Sequence, residues 1–284
     1  MRLRIEHETI YRFNRQVALQ PHRLLVTPRS SHELQLLDFS VETSPPAATE
    51  WTDDVFANRI ATLIFTEPVD TLHIIMTATV DQTALAYPVF SIAVEAHSYP
   101  FSYSEDDRTD LGALRLPSAA PDALGIADWA KGFVASSPTD TLALLKDLNA
   151  GLLPAIVYRP RDEEGTQSAA ETLALGSGSC RDIAALFIEA ARHLGFGARA
   201  VSGYLYDPDL GAADAGSTHA WAEVYLPGAG WIAFDPTHGR IGDANLIPVA
   251  VGRYNGQIMP VTGGYTGAAD DAAGMEVRVS VAAV

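Results

Sequence analysis

The chain has 284 residues and carries 19 Lys and Arg against 35 Asp and Glu, a formal net charge of −16. With 48% hydrophobic and 19% charged residues it can bury a sizeable core, and its length suits two domains better than three. So acidic a surface repels phosphate backbones and anionic lipid, so neither nucleic acid nor a membrane surface is expected as a partner. The first residues alternate charged and apolar side chains without the apolar core of a leader peptide, and no run approaches the roughly 18 apolar residues of a membrane span. One cysteine, Cys180, leaves no internal disulfide and no multi-cysteine zinc site. A cytoplasmic setting is expected.

The amino-terminal part reads as strands. Leu3 and Ile5 alternate with Arg2, Arg4 and Glu6, residues 33–41 and 61–65 are short apolar stretches, and residues 70–80 hold a β-branched string. Turn-formers at Pro21, Pro28, Ser44-Pro45-Pro46 and Asp53-Asp54 separate them. This spacing predicts an antiparallel sandwich or barrel over residues 1–115, without any motif that carries chemistry. A Pro/Ser/Ala-rich linker at 115–121 leads into a second unit, 119–284.

Helices are expected over 122–134 and from Pro138 through Leu142, Leu145, Leu148 and Leu152, then a strand over 155–158. Ser168-Ala-Ala-Glu171 is a capping box opening a helix that ends at Leu175. Asp207, Asp209 and Asp214 share one loop, better explained by solvation than by metal binding. Residues 263–274 read as a mobile loop, and Met275, Val277, Val279 and Val281 as a closing strand of the second unit.

Cys180 is the residue to explain. Gly176-Ser-Gly-Ser-Cys180-Arg-Asp182 precedes a helix with Ile183, Leu186, Phe187, Ala190, Ala191 and Leu194 on one stripe, ended by Gly195. Ser179 can cap it, and Asp182 complements its dipole. A thiol in that first turn faces unpaired backbone N–H groups, which favour the thiolate when a basic partner is near. The alternative is a small buried hydrophobe.

The partner comes from a hairpin. Thr218-His219-Ala-Trp221-Ala-Glu223-Val-Tyr225 alternates, turns at Pro227-Gly-Ala-Gly230, and returns through Trp231-Ile-Ala-Phe-Asp235. His219 and Asp235 therefore come to one end of the pair, as base and orienter for a nucleophilic thiol. A turn centred between Gly228 and Ala229 would set His219 opposite His238 and put Asp235 on the other face. The triad then requires a shifted turn or a bulge. His238 is a rival base, a solvent or core role remains open for His219, and Trp221 reads as core packing.

These three blocks together, with Asp54-Val-Phe-Ala-Asn58 upstream, resemble the bacterial transglutaminase-like family of the papain-like superfamily and its β-rich amino-terminal region. Ala57 stands where relatives usually carry glycine. The resemblance implies an α+β fold: an antiparallel β domain, then a core in which a helix bearing Cys180 packs on an antiparallel sheet bearing His219 and Asp235. It implies Cys180 as nucleophile, His219 as base and Asp235 as orienter, with Tyr158 as a candidate oxyanion donor that could equally be core. It further implies a cysteine-dependent enzyme acting on peptide or carboxamide bonds of a peptide or protein substrate through a thioester. Hydrolysis is expected over cross-linking, with no cofactor and no metal. A non-catalytic binding module on the same fold is the alternative.

Overall fold

Alternation along the amino terminus is sustained enough to make one long strand, β1 (Arg2–Leu19). Leu3, Ile5, His7 and Thr9 point inward, while Arg2, Arg4 and Glu6 face solvent. The chain continues through β2 (His22–Leu24), β3 (Leu34–Ser44), β4 (Ala48–Asp53), β5 (Arg59–Ile64) and β6 (Val69–Gln82). In β6 the alternate residues Leu72, Ile74, Met76, Ala78 and Val80 are buried, which fixes its register against β1 from Arg2↔Asp81 to Arg12↔Thr71. This computed structural model describes residues 1–86, 88–118, 123–161, 165–206, 208 and 216–284, with Ala123 and Leu124 as backbone only.

The second unit opens with β7 (Ser98–Tyr99), α1 (Glu105–Leu111), α2 (Ala123–Lys131) and β8 (Thr139–Asp140), which pairs with β7. Next comes α3 (Thr141–Ala155). It begins three residues later than the Pro138 start expected from sequence, because Asp140 caps it by accepting a hydrogen bond from Ala143 N–H at 2.7 Å. Asp122, the expected start of the preceding helix, lies outside the described residues, as do Asp207, Asp209 and Asp214.

The short strand β9 (Val157–Tyr158) and the capping-box helix α4 (Ala169–Leu175) follow, then β10 (Ser177–Gly178) and α5 (Cys180–His193). The remainder is an antiparallel sheet of β11 (Gly197–Tyr206), β12 (Gly216–Leu226), β13 (Gly230–Asp235), β14 (Arg240–Ile241) and β15 (Leu246–Gly252), ordered β14-β13-β12-β11-β15. The α5 stripe lies across β12 and β11, and Phe187 stacks on Phe234 with ring centroids 5.4 Å apart. The architecture is the expected α+β arrangement of a β-rich first part and a helix-on-sheet core.

The chain end differs from expectation. Residues 263–274, expected as a mobile loop, are fastened: Asn14 Nδ2 donates to the Asp270 carbonyl at 2.8 Å and Arg15 pairs with Asp271. Here β16 (Val261–Thr262) pairs with β2, and β17 (Tyr265–Thr266) with β1. The closing strand β18 (Ala272–Ala283) runs along β1 from Leu3↔Ala283 to Phe13↔Ala272. It was expected to complete the core; instead it covers the β1 edge, which would otherwise expose unpaired backbone groups. The amino-terminal unit thus has two sheets, β17-β1-β6-β3 with β18 on β1, and β16-β2-β5-β4.

Asn58 joins the two units. Its side chain mimics a strand partner, donating from Nδ2 to the Val251 carbonyl at 2.7 Å and accepting the Val251 N–H at 2.8 Å. Arg29 donates to the same amide oxygen at 2.7 Å. The preceding Ala57 has φ of 55°, the left-handed conformation that glycine adopts without cost. No described helix is long and apolar enough to cross a membrane.

Candidate active site

Cys180 is the first residue of α5, half-buried, and the only described cysteine. What holds its turn in place is Asp182, fully buried and surrounded by donors. Ser179 N–H and Oγ reach Asp182 Oδ2 at 2.9 and 2.7 Å, Gln167 N–H reaches Oδ1 at 2.7 Å, and Arg161 Nη1 lies 2.9 Å from both oxygens. Burial opposes the carboxylate's charge, but these donors hold its pKa below the ordinary range. The Ser179 hydroxyl therefore donates to Asp182 instead of capping the helix by itself.

The hairpin register explains how His219 and Asp235 meet. In β12–β13, Tyr225 pairs with Trp231 and Ala222 with Phe234, so the turn is the three-residue Pro227–Ala229 loop centred on Gly228, whose φ is 83°. That is one residue short of the register centred between Gly228 and Ala229. Because side chains alternate, a one-residue shift moves Asp235 to the face that His219 occupies. No bulge is needed. His219 Nε2 lies 2.9 Å from Asp235 Oδ2, both side chains being buried. Trp221, wholly buried, stacks on the His219 ring at 6.0 Å between centroids.

With Nε2 committed to Asp235, the other ring nitrogen of His219 is the one available to the thiol. Burial alone would keep Cys180 neutral, yet its pKa is lowered by the His219 hydrogen bond and charge and by the backbone N–H groups of Ala220 and Arg181. Burial would likewise depress His219, but Asp235 outweighs it and pushes the imidazole up to about 10. Asp235 is held well below the carboxylate range against its own burial by His219 and His238. The three groups thus favour a thiolate–imidazolium pair seated on a carboxylate.

His238, the rival base, binds the same carboxylate: its Nδ1 lies 2.8 Å from Asp235 Oδ2 and its ring centroid 5.2 Å from that of His219, while Thr237 N–H donates to Oδ1 at 3.0 Å, and only His219 is among the groups that lower the Cys180 pKa. His219, Asp235 and His238 are a donor set that could hold a metal ion, their ligand atoms lying within 4.8 Å of one another. The 2.8 and 2.9 Å separations from Oδ2 are hydrogen-bond lengths, shorter than the ligand-to-ligand spacing of about 3.3 Å around a tetrahedral zinc. Tyr158, half exposed, lies in β9 opposite Gly178 in the parallel β9–β10 pair. Its pKa is raised by burial and by the Cys180 charge, which places the phenol within electrostatic reach of the sulfur.

Two families match the chain in order. Residues 3–81 match the bacterial transglutaminase-like N-terminal region and residues 127–236, which include Cys180, His219 and Asp235, match the transglutaminase-like superfamily. The chain carries a transglutaminase-like core behind a bacterial transglutaminase-like N-terminal region. Uncharacterized proteins of Mycobacterium bovis and Mycobacterium tuberculosis are each 27% identical over 279 residues, covering 92% of this chain and 87% of theirs. A proposed cysteine protease from Cytophaga hutchinsonii has the same fold, with a TM-score of 0.78 and 21% identity over all of this chain and 91% of that one.

The transglutaminase-like core match and the shared fold support a papain-like cysteine enzyme, consistent with the α5 and β12–β13 geometry. Sequence reasoning singled out Cys180, His219 and Asp235, which the structure brings together, but not the cradle around Asp182. Arg161 and Gln167 precede the cysteine helix in a stretch without periodicity, and only folding brings them to it.

Proposed function

We propose that this transglutaminase-like protein hydrolyses a peptide or carboxamide bond through a Cys180 thioester. The observation that supports it is the continuous contact from the Cys180 thiol through the His219 ring to Asp235, at the amino terminus of a helix. The thiolate attacks the carbonyl carbon, forming the C–S bond as the carbonyl π pair moves to oxygen. Cys180 N–H and the Tyr158 hydroxyl are the donors proposed for that oxyanion. Collapse breaks the C–N bond, and His219 delivers its proton to the departing amine. Water, deprotonated by the now neutral His219, attacks the thioester and releases the acid and the Cys180 thiolate.

Hydrolysis is preferred to acyl transfer because Cys180 is only half-buried and water, unlike a second amine, needs no dedicated site to reach the thioester. Alkylation tests the pair directly. Iodoacetamide should modify Cys180 rapidly at pH 6, and His219→Ala should slow that reaction toward the rate of an ordinary thiol of pKa about 8.5. A wild-type thiol inert at pH 6 and reactive only near pH 8.5 would refute the ion pair.

A further inference from the structure

Asp235 holds two histidines on one oxygen. Its Oδ2 lies 2.9 Å from His219 Nε2 and 2.8 Å from His238 Nδ1. A carboxylate only accepts, so each ring donates an N–H to it, and Nδ1 of His238 carries a proton. The His219 and Asp235 side chains are 4% and 2% exposed, whereas that of His238 is 32% exposed. His238 therefore stands between the buried pair and solvent.

The turn after β13 puts it there. Asp235 pairs across this turn with Arg240, and Gly239 takes a φ of 66°, which glycine adopts without cost. Asp235 Oδ1 accepts the Thr237 N–H at 3.0 Å and the His238 N–H at 3.4 Å, so the carboxylate organises the turn that carries the ring. A Cβ on Gly239 would come 2.8 Å from Leu153 Cδ1, so the same turn packs closely against α3. Both backbone donors bind Oδ1, which leaves Oδ2 to the two rings. His238 is not among the groups that lower the Cys180 pKa, so any effect it has on the sulfur passes through Asp235 and His219.

We infer that His238 is a positioning residue: its Nδ1–H pins Asp235 Oδ2 and its ring keeps water from it, so that the carboxylate stays aimed at His219 and the Cys180–His219 ion pair stays formed. This assignment rests on the ion pair of the proposed acyl-enzyme reading. Charge sharing alone predicts the opposite sign. A second donor draws on the charge of Oδ2, so its loss would tighten the His219 bond and speed the thiol. Positioning prevails because removing the ring also opens a buried pair to water, which competes with His219 for Oδ2 and screens the two charges. Small displacements suffice, since about 1 Å of misplacement near reacting groups can cost about 10²-fold in rate.

Iodoacetamide alkylation of Cys180 at pH 6 reads the ion pair without any substrate. His238→Ala should slow it by about tenfold and move the titration of the thiol to higher pH. The same variant should lower kcat by about tenfold and leave KM in place. His238→Asn, whose Nδ2 takes the place of Nδ1, should recover most of both rates. His238→Gln, whose amide reaches the place of Nε2 instead, should not. A role confined to folding would lower Tm and leave alkylation at the wild-type rate. Alkylation of His238→Ala at or above the wild-type rate, or equal rescue by Asn and Gln, would overturn the assignment. If the Ala variant does not fold, the Asn and Gln variants carry the same comparison. A wild-type thiol inert at pH 6 would sink this assignment together with the ion pair. Slowed alkylation in His238→Ala, with no peptide cleaved by the wild type, would sink hydrolysis alone and leave the role of His238 standing.

Discussion

Two buried histidines, one in each half of the molecule, have opposite fates. His7 in β1 is 4% exposed and His219 in β12 is 7% exposed. His7 Nδ1 meets the Tyr204 hydroxyl at 2.9 Å, and burial lowers its pKa to about 4. His219 meets Asp235, which raises its pKa to about 10 despite equal burial. Desolvation selects the neutral ring, and one carboxylate at 2.9 Å reverses the choice. The amino-terminal sandwich uses its buried polar groups as fasteners, with His7 on Tyr204 and Asn58 on Val251. The core uses the same residue type to hold a proton where it can be moved.

The comparison breaks most completely if His219 loses its carboxylate. Asp235→Asn should leave a folded protein whose kcat falls by about 10³–10⁴-fold, because the amide no longer stabilises the imidazolium or fixes the ring. His219 would then behave as His7 does, neutral at pH 7, and Cys180 would revert toward a thiol. Alkylation at pH 6 should slow in step with turnover. In the wild type, activity should rise with pH as the lowered Cys180 pKa is passed and fall as His219 deprotonates near 10. An Asp235→Asn variant with unaltered kcat would hand the orienting role to another group.

The converse concerns His7 and reads as stability. Its folded pKa of about 4 lies below the ordinary imidazole value of 6.5, so on acidification the unfolded chain binds a proton first. The neutral ring's contribution is whole above pH 6.5 and is lost as pH falls toward 4, amounting to about 3 kcal/mol for a group so buried. His7→Gln, which can still hydrogen-bond Tyr204, should flatten denaturant-measured stability between pH 6.5 and 4 and leave turnover unchanged.

Much of this was legible before folding. The α5 stripe, its Gly195 stop and the alternation of β12 carry strong local periodicity, and the capping box at Ser168 and Glu171 formed as its spacing predicts. What escaped depends on contacts distant in sequence or on a single residue of turn length. The Pro227–Ala229 loop is one residue shorter in register than expected, and that alone decides which face Asp235 takes. Alternation revealed that residues 275–281 form a strand, but nothing local says that its partner is β1, more than 260 residues away in the chain. The Asp182 cradle and the Asn58–Val251 clasp were invisible for the same reason.

The smallest expected effect lies at Ala57, and it separates fastening from chemistry. Its φ of 55° costs an L-residue about 1–2 kcal/mol, held in place by Asp54, whose Oδ1 accepts the Phe56 and Asn58 N–H groups at 2.8 and 3.0 Å. Ala57→Gly relieves that strain but costs about 0.4–1 kcal/mol through the freer unfolded chain, for a net gain of about 0–1.6 kcal/mol, near 1 kcal/mol at mid-range. For a domain of this size that is about 2 °C in Tm, readable by calorimetry. Turnover should not change, because the substitution removes one methyl and leaves the Asn58–Val251 clasp and the packing of Phe56 against the Trp221 cluster in place. If kcat shifted together with Tm, the strained turn would be coupled through β15 and β11 to His219, and the division between a fastening half and a reacting half would have to be redrawn along that path.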